Sequence, residues 1–305
     1  MTTTAAPRAE EVLPGVFRLD CPFGEGGIVF VYYIDAPEPA LVDTGINRSP
    51  GEVIEPGLRA VGKSLSDVRH LLNTHGHWDH MGGNEAVRKH APDAKTYINA
   101  ADTHLLQSAS AHYNGYSSYA ARLLHDRAAH GWVEQMQGAS IDCPTPADVL
   151  VEDDQVISVG GSDRVRVVRT PGHSDGSTSY LLEGRGILFT GDGVQGLGSR
   201  PGQLPLIFDD TQAYRATIAK LAGMRLDALC TGHAFCGLPP ASGRDPVRKG
   251  AAAKLYLEES GEAAKAVEEA ARSILGDRQN APFDEFARAL FGRLEKPLGL
   301  VLDSA

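Results

Sequence analysis

Apolar residues in this chain come in short runs that stop at a small residue followed by a polar one. Ile28-Val29-Phe30-Val31-Tyr32-Tyr33-Ile34 reads as a buried strand. Ala40-Leu41-Val42 stops at Asp43-Thr44-Gly45, and Val68-Arg69-His70-Leu71-Leu72 stops at a polar cluster running from Thr74 to His80. Val165-Arg166-Val167-Val168 stops at Thr170-Pro171-Gly172-His173, and Gly186-Ile187-Leu188-Phe189 at Thr190-Gly191-Asp192-Gly193. Leu226-Asp227-Ala228-Leu229-Cys230 stops at Thr231-Gly232-His233. Such runs, punctuated by Gly, Pro and Thr, are strand signals. Polar groups just beyond strand ends are where α/β folds hold ligands.

Helical spacing lies between these runs. It predicts helices over Pro50 to Val61 and Asn84 to His90. A third opens at Asp210, a suitable N-cap, with Tyr214, Ile218 and Leu221 on one face. The alternation predicts an α/β (α+β) chain in which sheet packs on sheet with helices outside. Residues 100–148 read as a helical insert carrying His104, His112, Tyr113, Tyr116, Tyr119, His125, His130 and Trp132. From Pro246 to Ala305 an Ala/Glu/Lys/Leu-rich tail reads as a helical extension, broken at Ser260-Gly261 and again around Gly276 to Pro282. Phe283, Phe286, Leu290, Phe291 and Leu294 in it keep helical spacing. The division expected is a main domain over 1–245 and an extension over 246–305.

Composition narrows the class. With 305 residues and 42% hydrophobic side chains the chain can bury a sizeable core. A formal charge of −10 argues against nucleic acid as partner. The N-terminus lacks the basic and apolar regions of a secretory signal, and no run approaches the ~20 apolar residues of a membrane span. A cytoplasmic protein with no membrane partner is expected. Cys21, Cys143, Cys230 and Cys236 form no CxxC pair and read as reduced thiols.

Candidate chemistry concentrates in Thr74-His75-Gly76-His77-Trp78-Asp79-His80. Imidazole and carboxylate are the donors that zinc, iron and manganese favour. In an extended backbone, side chains at i and i+2 leave on one side, so His75 and His77 can grip one metal. A turn then lets Asp79 and His80 reach a second. His and Asp are poor buried residues unless paired or ligated, so ordinary packing does not call for this cluster. His70 and His90 read as surface or packing residues, and Cys230 as strand filling.

The series His75-x-His77-x-Asp79-His80, then His173, Asp192 and His233, with the Asp43-Thr44-Gly45 turn upstream, resembles the metallo-β-lactamase-fold hydrolases over residues 11–240. The resemblance implies a four-layer αββα sandwich with a metal site at one edge of the two sheets. It implies His75, His77 and His173 as ligands of a first metal, Asp79, His80 and His233 of a second, and Asp192 as the bridge. It implies Asp43 as a hydrogen-bonding support that fixes a histidine tautomer. Two zinc ions are the cofactor implied, with iron or manganese as alternatives. The activity implied is hydrolysis of a small acyl compound (thioester, lactone or activated ester) by a metal-bridging hydroxide, with Asp79 relaying the proton. His112, Tyr113 and Tyr116 are candidates for a substrate pocket, and the insert suggests an apolar, partly covered one.

Two other classes stay open on the residues alone. A persulfide-dioxygenase-like enzyme would hold one iron at His75, His173 and Asp192. A metal-containing sensor would bind a metabolite with little turnover. A homodimer also stays open, because the amphipathic tail can serve dimerisation, pocket closure or plain core cover.

Overall fold

The structure, a computed structural model, describes residues 7–24, 26–117, 134–199, 204–207, 209–236, 243–277 and 282–298. One sheet runs in chain order through β1 (Glu10–Leu13), β2 (Val16–Phe23), β3 (Gly27–Ile34), β4 (Ala40–Val42), β5 (His70–Leu72), β6 (Lys95–Asn99) and β7 (Val149–Val151). It is antiparallel as far as β4 and parallel from there on. The second sheet contains β8 (Val156–Ser158), β9 (Arg164–Arg169), β10 (Thr178–Leu182), β11 (Ile187–Gly191), β12 (Ala228–Thr231) and β13 (Val247–Lys249). Its order is β13-β12-β11-β10-β9-β8, with β11 and β12 parallel.

The period-two alternation of a strand sends successive side chains to opposite faces. Along β3, Phe30, Tyr32 and Ile34 enter the space between the sheets and meet Val165, Tyr180 and Phe189. Val29, Val31 and Tyr33 face outward and pack with Ile54, Leu58 and Val87. On the other sheet, Leu188 and Leu229 face outward to Tyr214, Ile218, Leu221 and Tyr256. Helices therefore cover both outer faces, which gives the four-layer αββα arrangement. Cys230 lies in the inter-sheet core, and all four cysteines are free. No helix among the described residues is long and apolar enough to cross a membrane.

The helix Thr211–Ala222 starts at Asp210, whose carboxylate accepts from the backbone N–H groups of Gln212 and Ala213. Several strands carry a weaker sequence signal than those read above. β1 and β8 are edge strands with two exposed positions each, and β10 begins with Thr178-Ser179. The expected break at Ser260-Gly261 does not occur, because the helix Ala251–Asp277 runs straight through it. Ser260 Oγ donates to the Tyr256 carbonyl four residues back, and the bare face of Gly261 lies against Ile218. Tertiary packing overrides the low helix propensity there. The next helix is Phe283–Leu298, and residues 278–281 lie outside those described.

Two boundaries differ from those expected. Val247–Lys249, read as the start of the helical tail, pairs with β12 as the edge strand of the second sheet. In the insert, short helical turns cover Ala100–Leu106, Ala109–His112 and Tyr113–Ser117. Tyr119, His125, His130 and Trp132 lie outside the described residues.

Candidate metal centre

The ends of β4, β5, β9, β11 and β12 meet at one edge of the sandwich. Asp43 follows β4, the Thr74–His80 segment follows β5, and His173 follows β9. Asp192 follows β11, and His233 follows β12. The close approach of β11 to the β5 loop depends on Gly191, which has φ of 49° and sits so near Thr74 that a Cβ would come within 2.2 Å of Thr74 Oγ1. An L side chain there would push Asp192 away from His75.

The converging donors form three overlapping groups: His75, His77 and His173; His75, His80 and Asp192; Asp79, His80 and His233. Within each group the ligating atoms lie within 4.8 Å of one another. His173 Nε2 is 2.9 Å from His77 Nδ1, and His80 Nε2 is 3.3 Å from His233 Nε2. Asp192 lies between the two sides, 3.4 Å from His80 Nε2 and 3.6 Å from the Nε2 atoms of both His173 and His233. Asp79 Oδ2 is 3.3 Å from His233 Nε2.

The far nitrogens of four rings are held by the protein. His80 Nδ1 donates to Asp43 Oδ2 at 2.8 Å, and His233 Nδ1 donates to the Ile28 carbonyl at 2.6 Å. His173 Nδ1 is held between the Leu206 carbonyl and Gln195 Nε2, the latter at 2.8 Å. Thr74 Oγ1 sits 2.9 Å from Asp43 Oδ2 and 3.0 Å from His75 Nδ1. A carboxylate only accepts, so the Thr74 hydroxyl donates to Asp43 and accepts from His75. Asp43 thereby fixes His80 directly and His75 through one hydroxyl. Each of these rings turns its Nε2 inward. His75 Nε2 and Asp192 Oδ1 are buried with no hydrogen-bond partner. Leaving such atoms unmet is costly, and a cation between them removes the cost. The donor set, five imidazoles and two carboxylates, fits a pair of divalent ions.

The electrostatics agree. Burial, reinforced by neighbouring imidazoles, holds His75 and His77 well below the ordinary histidine range. Burial alone would lower His80 as well, but Asp192, Asp43 and Asp79 push it up to about 10. Burial alone would raise Asp79, yet His80 and His233 bring it well below the carboxylate range.

Two cavities flank the cluster. One, of about 350 Å³, opens beside His77 and His173 and is lined by Asp102, His104, Tyr116, Ser174, Asp175 and Asp209 among others. The other, of about 140 Å³, lies beside His233 against Phe23, Ile28, Phe30 and Ala234. Tyr116 lines the first cavity and stacks on His77 with ring centroids 3.5 Å apart. His112 and Tyr113 are buried and are not among its described lining residues. Burial pulls His112 down to about 4. Among the described residues, none of the insert lines the cavity beside His233. Its Leu106 packs against Trp78, Met81 and Ile141, while Asp102, His104 and Leu105 line the cavity beside His77. His70 is a packing residue, held between Tyr97 Oη and Glu38.

Sequence reasoning missed three supporting residues. Asp102 follows β6, whose run Tyr97-Ile98 ends at Asn99 in the same syntax that marks the other loops. Gln195 Oε1 accepts from the Leu206 N–H, which steadies the carbonyl that holds His173. Tyr256 Oη, in the C-terminal extension, donates to the Val194 carbonyl and ties that helix to the Asp192 loop. The last two contacts carry no local sequence signal.

Comparison with known proteins adds four findings. The sequence model of the metallo-beta-lactamase superfamily matches residues 24–233. The chain is 28% identical over 235 residues to the probable metallo-hydrolase YflN of Bacillus subtilis, across 70% of this chain and 81% of that one. It is 27% identical over 213 residues to thioesterase pkgB of Emericella nidulans, across 67% of this chain and 48% of that one, and so spans about half of that relative. In fold it is similar to a metallo-beta-lactamase family protein of Thermus thermophilus, with a TM-score of 0.68 and 23% identity over 94% of this chain and 91% of that one.

Proposed function

The chain belongs to the metallo-beta-lactamase superfamily, and from that premise we propose that it is a dinuclear metal-dependent hydrolase of a small acyl compound, with a thioester or activated ester first among the candidates. The observation that carries this reading is the convergence of seven donors around His75 Nε2, which is buried with no hydrogen-bond partner. His75, His77 and His173 would hold one ion and Asp79, His80 and His233 the other, with Asp192 shared. The Asp79–His80–His233 group offers donors for a second ion, and metal analysis separates two ions from a single iron: iron at one per chain with oxygen consumption rejects the hydrolase reading. The thioesterase among the relatives favours a thioester.

When bound, the metals supply Lewis acidity toward a carbonyl and a nucleophile derived from water at neutral pH. The chain's own groups do the rest. Asp43 holds His80 directly and His75 through Thr74, so their Nε2 lone pairs stay available. Asp79 stays ionised, accepts a hydrogen bond from the attacking water, and passes the proton to the departing group. Tyr116 walls the His77 side and keeps bulk water off it. The cavity beside His233 would take the acyl group and the polar cavity beside His173 the departing group. An apolar cavity of about 150 Å³ takes a benzene-sized guest, so about four to six acyl carbons, or a benzoyl group, fit the 140 Å³ beside His233.

The test is a panel of acyl thioesters and lactones of matched acyl length with zinc-loaded protein. kcat/KM is expected to climb up to fourfold per methylene, from about 0.8 kcal/mol of burial each, and to fall beyond about six carbons. Absence of turnover across the panel rejects the hydrolase reading. Turnover indifferent to chain length rejects the acyl cavity.

Metal uptake should also release protons. His80, pushed up to about 10 in the metal-free protein, is charged at pH 7 and must be neutral to ligate. Its raised value stabilises the metal-free fold fully below about pH 6.5, and that contribution is lost as pH rises through about 10. Affinity is therefore expected to rise about tenfold per pH unit toward that value for one proton released. Calorimetry in buffers of different ionisation enthalpy reads the proton count. A count of zero at pH 7 contradicts the assignment of His80.

A further inference from the structure

We infer that Asp102 is a positioning residue that locks together the two loops carrying His75, His77 and His173, and so controls occupancy of that ion site separately from the His80 side. The inference rests on the metal-centre reading proposed above. Asp102 follows β6 in the turn Ala100–Leu106, is 3% exposed, and has no place in the ligand series. Its Oδ2 accepts from the Gly76 N–H at 2.9 Å and from the Ser174 hydroxyl at 2.8 Å. Its Oδ1 accepts from the Gly176 N–H at 2.9 Å. Gly76 stands between His75 and His77, and Ser174 directly follows His173. One carboxylate thus joins the β5 loop to the β9 loop at the point where their imidazoles meet.

Proton directions in this knot are fixed by chemistry. The carboxylate only accepts, so the Ser174 hydroxyl donates to it. Ser177 Oγ is 2.8 Å from Ser174 Oγ and accepts from the Ser174 N–H. Ser174 Oγ, having given its proton to Asp102, accepts from Ser177. Gly176 approaches so closely that a Cβ would lie 2.2 Å from the Asp102 carboxyl carbon. Asp102 is itself held rigid. Asn99 caps its turn by accepting from the Ala101 N–H, and Leu105 and Leu106 anchor the turn in the cluster around Trp78. Asp43 serves His75, through Thr74, and His80 from the opposite side of the centre. The three hydrogen bonds of the Asp102 carboxylate all go to the β5 and β9 loops, at Gly76, Ser174 and Gly176. The asymmetry follows: Asp102 braces one ion site and Asp43 reaches toward both.

The variant Asp102→Asn tests this. The amide keeps one acceptor and gains N–H groups, and in either orientation those face a donor. Zinc titration by calorimetry would be run on the parent, on Asp102→Asn, and on Asp102→Asn combined with His75→Ala or with His80→Ala. The expected result is a loss of about 10–100-fold in affinity in the His80→Ala background, where the site of His75, His77 and His173 remains. Affinity in the His75→Ala background should not change. A residue that merely supports the fold would weaken both backgrounds alike and lower the Tm of the metal-free protein. Equal weakening, or no weakening, overturns the inference. If Asp102→Asn fails to fold, Ser174→Ala removes one of the three bonds and should weaken the same site by a smaller factor; no change there overturns the inference too. A parent protein that binds no second ion overturns the dinuclear reading, whereas two ions in the parent with Asp102→Asn unaffected overturns this inference alone.

Discussion

Zinc-loaded Asp79→Asn protein is expected to hydrolyse acyl substrates about 10²–10⁴-fold more slowly than the parent, with its fold intact. Hydrolysis must take a proton from water and deliver one to the departing group. Of the carboxylates at the centre, Asp43 is committed to Thr74 and His80 and its side chain is 2% exposed. Asp79 is 12% exposed, faces His233 Nε2 at 3.3 Å, and can still reach water. His80 and His233 keep it ionised against the effect of burial, so its oxygens accept at any working pH. An amide fills the same space and cannot carry the proton. The measurement is kcat at saturating substrate, with the metal content of the same sample. Full metal content with an unchanged kcat rejects the role. A rise in KM at constant kcat would make Asp79 a binding group.

Asp43→Asn should act on the metal before the chemistry. Asp43 adopts φ of 61°, in the left-handed region, which Asn tolerates well, so the turn survives. Its Oδ2 accepts from His80 Nδ1 and from the Thr74 hydroxyl, and its Oδ1 from the Thr74 N–H. In the amide, one end opposes a donor. If that end faces His80, the ring gains a proton on Nε2 and loses its inward lone pair. If it takes the Oδ1 position, it opposes the Thr74 N–H and loosens the residue whose hydroxyl supports His75. The expected loss is about 10–100-fold in ion affinity, which at fixed metal reduces its stabilisation of the fold by about 1.4–2.7 kcal/mol. Thermal unfolding with and without zinc reads this directly. An unchanged gap between the two Tm values would show that Asp43 does not orient the ligands.

Much of the centre is legible in the sequence, because its parts are local. His75, His77, Asp79 and His80 share one short segment, and His173, Asp192 and His233 each follow an apolar run closed by a small residue. The strand alternation of Phe30, Tyr32 and Ile34 against Val29, Val31 and Tyr33 also writes the layer order into the chain. The helix break expected at Ser260-Gly261 is a local inference that fails, because packing on Ile218 decides that stretch and propensity does not.

By itself, then, the sequence determined the strand–loop syntax, the donor chemistry and the pairing of layers. These follow from residue type and spacing over a few positions. Tertiary structure decided which nitrogen of each imidazole points inward, because that depends on partners distant in the chain, such as Ile28 for His233 and Leu206 for His173. It also decided that the cavity by the insert is polar and that the apolar one lies by the β2–β3 hairpin. The tie of Asp102 to Gly76 and Gly176 belongs here as well. A hydrogen bond requires a donor and acceptor at one point in space, and folding brings these residues there from separate parts of the chain.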